Sequence, residues 1–174
     1  MKIYLAGPDV FQRDAKALGA AKQAICARHG LTGCFPLDNE LAPGPDLARR
    51  IYEANLAMME SCDAIIANLT PFRGPNADDG TAFELGFFAA RGRPMMAYLN
   101  DPRLLFDRTP SKDGWDAEDQ LVEDFGWPLN LMLIASVEAA GGQVIRGDGS
   151  GDPRRDLKAF EACVAALAQR LRSR

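Results

Sequence analysis

"DAIIANL", residues 63–69, is the stretch that decides the fold class. It is a nearly continuous apolar run with no polar–apolar alternation, as expected of a strand covered on both faces. Working outward, "PMMAYLN" (94–100) is a second run of the same kind. "KIYLAG" (2–7) reads as the first strand of the chain, "TGCFPL" (32–37) as a weaker one and "QVIRG" (143–147) as a short last one. Helical segments are expected between them, over 12–29, 46–62, 81–92 and 128–142, with an amphipathic closing helix over 154–173. In "DLARRIYEANLAMMESC" (46–62), Leu47, Ile51, Met58 and Met59 form one stripe. The alternation predicts an α/β protein: a doubly wound, five-stranded parallel sheet with helices on both faces. Ligands of such sheets sit beyond the carboxyl ends of the strands, where strand order reverses. That rule gathers "AGPDVF", "PLDNE" and "NLTPFRGPNADDGTAFE" around one crevice. The polar segment 101–127 reads as an excursion or lid, with Trp115, Phe125 and Trp127 as a cover.

At 174 residues the chain suits one domain spanning 1–174, with no repeats. A net charge of −4 offers no basic field for nucleic acid, and the terminal "RLRSR" reads as a solvated helix end. The N-terminus reaches Gly7-Pro8 too soon for a signal peptide, and no apolar run has membrane-spanning length. Four scattered cysteines without a CxxC pair, and one histidine, do not make a zinc site. Free thiols in a cytoplasmic protein, without metal or cofactor, are the expectation. His29 beside Gly30 suits a helix end.

The loop at 70–80 carries Gly74, Asp78, Asp79 and Gly80 but neither GxxxxGK[ST] nor GxGxxG, so it is not a phosphate loop. Glu84 has two readings. Thr81-Ala82-Phe83-Glu84 fits a capping box, with Glu84 returning to the cap. A carboxylate at a helix N-terminus over the sheet edge is also kept ionised by the dipole and can serve as a nucleophile. Asn55, four residues after Ile51, is expected to point inward, either as a satisfied core amide or as a ligand reader. Tyr4 lies in a strand apolar on both faces, so its hydroxyl needs a partner, and Glu84 would serve.

"KIYLAGPDVF", "PLDNE", "CDAIIANLTPFRGPNADDGTAFELG" and "VEDFGWPLNLML", in this order, resemble the nucleoside 2-deoxyribosyltransferase family, nearest its trypanosomatid-type members. The resemblance implies a flavodoxin-like fold and a retaining double displacement between a 2′-deoxynucleoside and a free nucleobase. It implies a homo-oligomer (a dimer, or a hexamer of dimers) with shared sites, a role in nucleoside salvage and a leaning toward purines. Under it Glu84 falls on the nucleophile, Tyr4 on the tyrosine that orients it, and Asp78 on an acidic residue contacting deoxyribose or base. Asn55, Asn130, Glu40 and Asp38 fall among the substrate-binding positions. Asn130 is the asparagine given to a neighbouring subunit's site, and Glu40 stands where other members have a base-contacting glutamine. Many bacterial members carry an aspartate in place of Asn55 that protonates the leaving base, which an amide cannot do. The "RLRSR" run does not resemble the aromatic C-terminus that some members place in a neighbour's site. The alternatives are a nucleoside or nucleoside 5′-monophosphate N-glycosidase and a non-enzymatic nucleoside sensor. The first loop, with Asp9 and no serine, disfavours the phosphate.

Overall fold

The computed structural model describes residues 1–172; the end of the expected closing helix and of the basic "RLRSR" run, residues 173–174, lies outside them. In chain order the elements are β1 (Lys2–Ala6), α1 (Ala15–Arg28), β2 (Thr32–Cys34), α2 (Leu47–Ser61), β3 (Ala64–Asn68), α3 (Asp79–Ala90) and β4 (Met95–Leu99). A one-turn α4 (Leu105–Arg108), then α5 (Leu131–Ala139), β5 (Val144–Arg146) and α6 (Lys158–Arg172), complete it. The five strands are all parallel, in the order β2-β1-β3-β4-β5. This is the flavodoxin-like order, and it reverses between β1 and β3.

Every residue of β3 and β4 is buried, which is why both read as unbroken apolar runs. Ile3, Leu5, Ala64, Ile66, Met96 and Tyr98 face one core with residues of α1 and α6. Tyr4, Ala6, Ile65, Ala67, Met95 and Ala97 face the other, with residues of α2, α3 and α5.

Several boundaries differ from the sequence expectation. β2 ends at Cys34, because Pro36 has no N–H to give a ladder and opens a 3₁₀ turn over Pro36–Asp38. α5 begins only at Leu131, where Asn130 Oδ1 accepts from Met132 N at 3.0 Å as its cap. Residues 101–127 do not cover the crevice. Trp127 packs against the core, whereas Trp115 and Phe125 are exposed, and none of the three lines the cavity described below. Arg108 fastens this segment, donating to the carbonyls of Pro75, Arg103 and Pro128.

Candidate active site

The cavity lies at the β1/β3 switch point and has a volume of 470 Å³, within the range of small-ligand sites. The turn after β1 contributes Gly7, Val10 and Phe11, the loop after β2 gives Leu37, Asn39 and Leu41, and α2 gives Leu47, Ile51 and Asn55. Asp78, Gly80 and Glu84 come from α3 and its cap.

Gly7 carries φ +155°, and a Cβ there would stand 2.4 Å from Asp9 Oδ2 and 2.6 Å from Asn68 Cβ. Only glycine lets the backbone pass at this point. Beneath it is a buried polar network. Lys22 Nζ donates to Asp9 Oδ2 at 2.6 Å, and Asn68 Nδ2 donates to the same carboxylate. Lys22 and Asp9 are 1 % and 2 % exposed. Burial pushes the lysine ammonium below its ordinary pKa, and the Asp9 carboxylate opposes that shift. Asp9 therefore faces a structural cation rather than a ligand. It stiffens the junction of β1 and β3 under the cavity.

The cap of α3 is not the expected one. Asp78, not Thr81, is the N-cap, and its Oδ2 accepts from both Thr81 N and Thr81 Oγ1 at 2.9 Å. Glu84 therefore lies in the second turn of the helix, too far along to reach the cap. Its partner is Tyr4, whose hydroxyl donates to Glu84 Oε1 at 2.6 Å. Nor does the helix dipole keep this carboxyl at an ordinary pKa. Burial raises it to about 7, Tyr4 opposing the rise and the charge of Asp78 adding to it. Burial and the neighbouring Glu84 push the Tyr4 hydroxyl far above the ordinary tyrosine value, so it stays a donor. A carboxyl balanced near neutrality, with one oxygen held and the other unpartnered among the described residues, can be charged and reactive at physiological pH.

The apolar stripe of α2 is divided between core and cavity: its C-terminal end, Met59 with Met58, packs into the core, and its N-terminal end does not. Of that helix only Met59 is buried; Ile51 is 44 % exposed and, with Leu47, walls the cavity. Asn55, one turn on, lines the same wall and accepts from Asn39 Nδ2 at 3.3 Å. The segment after β2 alternates. Leu37, Asn39 and Leu41 line the cavity, but Asp38 and Glu40 do not. Asp38 Oδ2 accepts from Phe35 N and Gln23 Nε2, both at 2.8 Å, and Glu40 pairs with Lys16 at 3.0 Å on the outer surface. Asp38 and Glu40 are therefore not brought to the site, and Asn39, which the sequence reading did not single out, is. Asn130 also lies outside the lining; besides capping α5, its Nδ2 donates to Glu123 Oε1. Asp79 is exposed at the helix start, and Asp63 accepts from Lys2 N at 2.8 Å, a structural tie between strands.

The fold and cavity thus define an α/β protein of the doubly wound, flavodoxin-like class, with a buried carboxyl–phenol pair at its switch point. Comparison with known proteins gives the family. A model described as nucleoside 2-deoxyribosyltransferase matches residues 3–132, and the chain belongs to that family. It is similar to the solved 2-desoxiribosyltransferase from Leishmania mexicana, with 34% identity, a TM-score of 0.72 and 97% of each chain covered. An uncharacterized protein of Schizosaccharomyces pombe is 31% identical over 98% of this chain and 90% of its own. A conserved protein from Enterococcus faecalis V583 shares the fold, with a TM-score of 0.63 at 20% identity over 96% of this chain and 98% of its own. The family is one of glycosyl-transferring enzymes acting on nucleosides and nucleobases.

Proposed function

We propose that the chain exchanges the base of 2′-deoxynucleosides by a double displacement through a deoxyribosyl ester of Glu84. The observation that carries this is the 2.6 Å Tyr4–Glu84 bond inside a cavity of nucleoside size. Tyr4 holds Oε1, which leaves Oε2 to meet C1′. As Oε2 bonds to C1′, the C1′–N bond breaks and its electron pair passes to the base nitrogen, which takes up one proton. The second base attacks C1′, loses one proton, and frees the Glu84 carboxylate. Two inversions at C1′ give overall retention. The transition state is oxocarbenium-like, and a carboxylate beside C1′ stabilises its charge before the bond forms. Without a 2′-hydroxyl that cation forms more readily, which favours deoxynucleosides.

The apolar side chains of Phe11, Leu37, Leu41, Leu47 and Ile51 suit the faces of a flat base. Asn55 can donate a hydrogen bond to that base but no proton. In the cavity lining Asp78 is the ionisable group besides Glu84, so the leaving base is protonated through Asp78 or through water. Asn130, outside its own chain's cavity, belongs in this reading to the cavity of a neighbouring copy. A purine is the favoured base on the resemblance to trypanosomatid-type members. Incubation with a deoxynucleoside and a second free base is expected to yield the exchanged nucleoside. Formation of free base and deoxyribose alone would instead make the chain an N-glycosidase.

A further inference from the structure

A second cavity, of 590 Å³, opens on the same edge of the sheet and shares Phe11 with the first. Its walls are the turn after β1, the loop after β3 and the segment 152–155 between β5 and α6. These walls are tied to one another. Gln12 Nε2 donates to Arg154 O at 2.8 Å, Asn100 Nδ2, just past β4, donates to Pro153 O at 3.0 Å, and Arg155 pairs with Asp14. Four arginines line the cavity, Arg13, Arg73, Arg154 and Arg155, against one carboxylate, Asp152. The lining thus carries an excess of three positive charges, on a chain whose net charge is −4. Asp9, between Pro8 and Phe11 in the first wall, is held by Lys22 and does not line the cavity.

Three of these arginines lack the partners that the rest have. Every other described arginine donates its guanidinium to a carboxylate or a backbone carbonyl, Arg155 included. Among the described arginines only Arg13, Arg73 and Arg154 do not, and all three line this one cavity. Arg73 holds φ +53°, in the left-handed region that non-glycine residues seldom occupy. Its guanidinium lies 4.6 Å from the centre of the Phe72 ring and 5.4 Å from that of Phe11. Thr70, also in the lining, accepts from Asn100 N through Oγ1, and its own hydroxyl proton has no acceptor among the described residues. Guanidinium forks match phosphate oxygens two at a time, and a hydroxyl adds a further donor. Phe11, Phe72, Pro8 and Pro71 put apolar surface beside this cationic one, and the volume is that of a site for a whole small molecule. We infer that the second cavity binds a nucleoside polyphosphate, its phosphates on Arg13, Arg73 and Arg154 and its base on the Phe11–Phe72 side. The inference calls on neither Glu84 nor Tyr4 and is independent of the transferase reading.

Calorimetric titration of the full chain at low salt, free of divalent metal, tests this with adenosine triphosphate and inorganic tripolyphosphate. The nucleotide is expected to bind once per chain. Arg13→Gln, Arg73→Gln and Arg154→Gln should each weaken it about tenfold. Arg28→Gln removes the same charge at the far end of α1 and should weaken it by no more than about twofold. All four arginines are exposed, so these variants should fold as wild type does. Tripolyphosphate should bind about tenfold more weakly than the nucleotide, for want of a base to stack. Saturating deoxyadenosine should leave nucleotide binding in place. No binding at about 1 mM nucleotide, or equal losses in all four variants, overturns the inference. Tripolyphosphate binding as tightly as the nucleotide would give the cavity to the inorganic anion and overturn its assignment to a nucleotide. Displacement by deoxyadenosine would put the nucleotide in the first cavity and overturn it as well.

Discussion

Replacing Glu84 by glutamine should make the protein more stable as well as inactive, and the gain should depend on pH. The folded state holds this carboxyl at about 7 against an ordinary 4.5. Between those values the folded chain binds more protons than the unfolded chain, so wild-type stability falls as pH rises through the window. At about 1.4 kcal/mol per pH unit, the penalty for burying the charge is about 3 kcal/mol once pH exceeds 7. Glutamine keeps an oxygen to accept the Tyr4 hydroxyl and carries no charge to bury. The stability difference between Glu84→Gln and wild type should therefore widen by about 3 kcal/mol between pH 4.5 and pH 8. Urea unfolding at a series of pH values reads this directly, provided the slope on denaturant is unchanged. A difference that stays constant with pH would refute the claim that Glu84 is a buried carboxyl balanced near neutrality. Loss of stability at every pH would mean that the carboxylate is structural.

Tyr4→Phe removes the donor that opposes the rise of the Glu84 pKa, so the acid limb of the exchange rate, expected near pH 7, should move upward. Activity should fall by more than the shift explains, because Oε1 is no longer held. Lys22→Met should destabilise the fold by about 3–5 kcal/mol, since Asp9 would remain as a buried, unpaired charge. Adding Asp9→Asn should restore most of that loss in denaturant titrations. Gly7→Ala places a methyl group against Asp9 Oδ2 and Asn68 Cβ at a φ of +155°, so about 1–3 kcal/mol of stability should be lost. Its KM for the deoxynucleoside should rise, because Gly7 lines the cavity.

The sheet was legible in the sequence because a strand covered on both faces must be apolar on both, as "DAIIANL" and "PMMAYLN" are. The Tyr4 hydroxyl was legible for the complementary reason, as a polar group in a strand with nowhere wet to go. The α3 cap was not, since Thr81-Ala82-Phe83-Glu84 satisfies the capping pattern locally while Asp78, three residues earlier, takes the role. Helical spacing in α2 marks an apolar face but cannot say whether that face meets a core or a cavity. Ile51 and Leu47 turned out to meet the cavity. The inward turn of Asn39 depends on Asp38 capping Phe35 N, a contact that fixes which residues of a short loop face in. The Asp9–Lys22–Asn68 network joins three distant segments of chain and leaves no short-range signal.

In the proposed exchange Glu84 becomes covalently attached to deoxyribose. Wild-type protein mixed with a deoxynucleoside, quenched in acid and digested with trypsin, should yield the peptide 74–91 heavier by one deoxyribosyl group, with the attachment on Glu84. The adduct should vanish when a second free base is added before the quench. Rapid exchange with no adduct on Glu84, or exchange retained by Glu84→Gln, would contradict a nucleophilic Glu84.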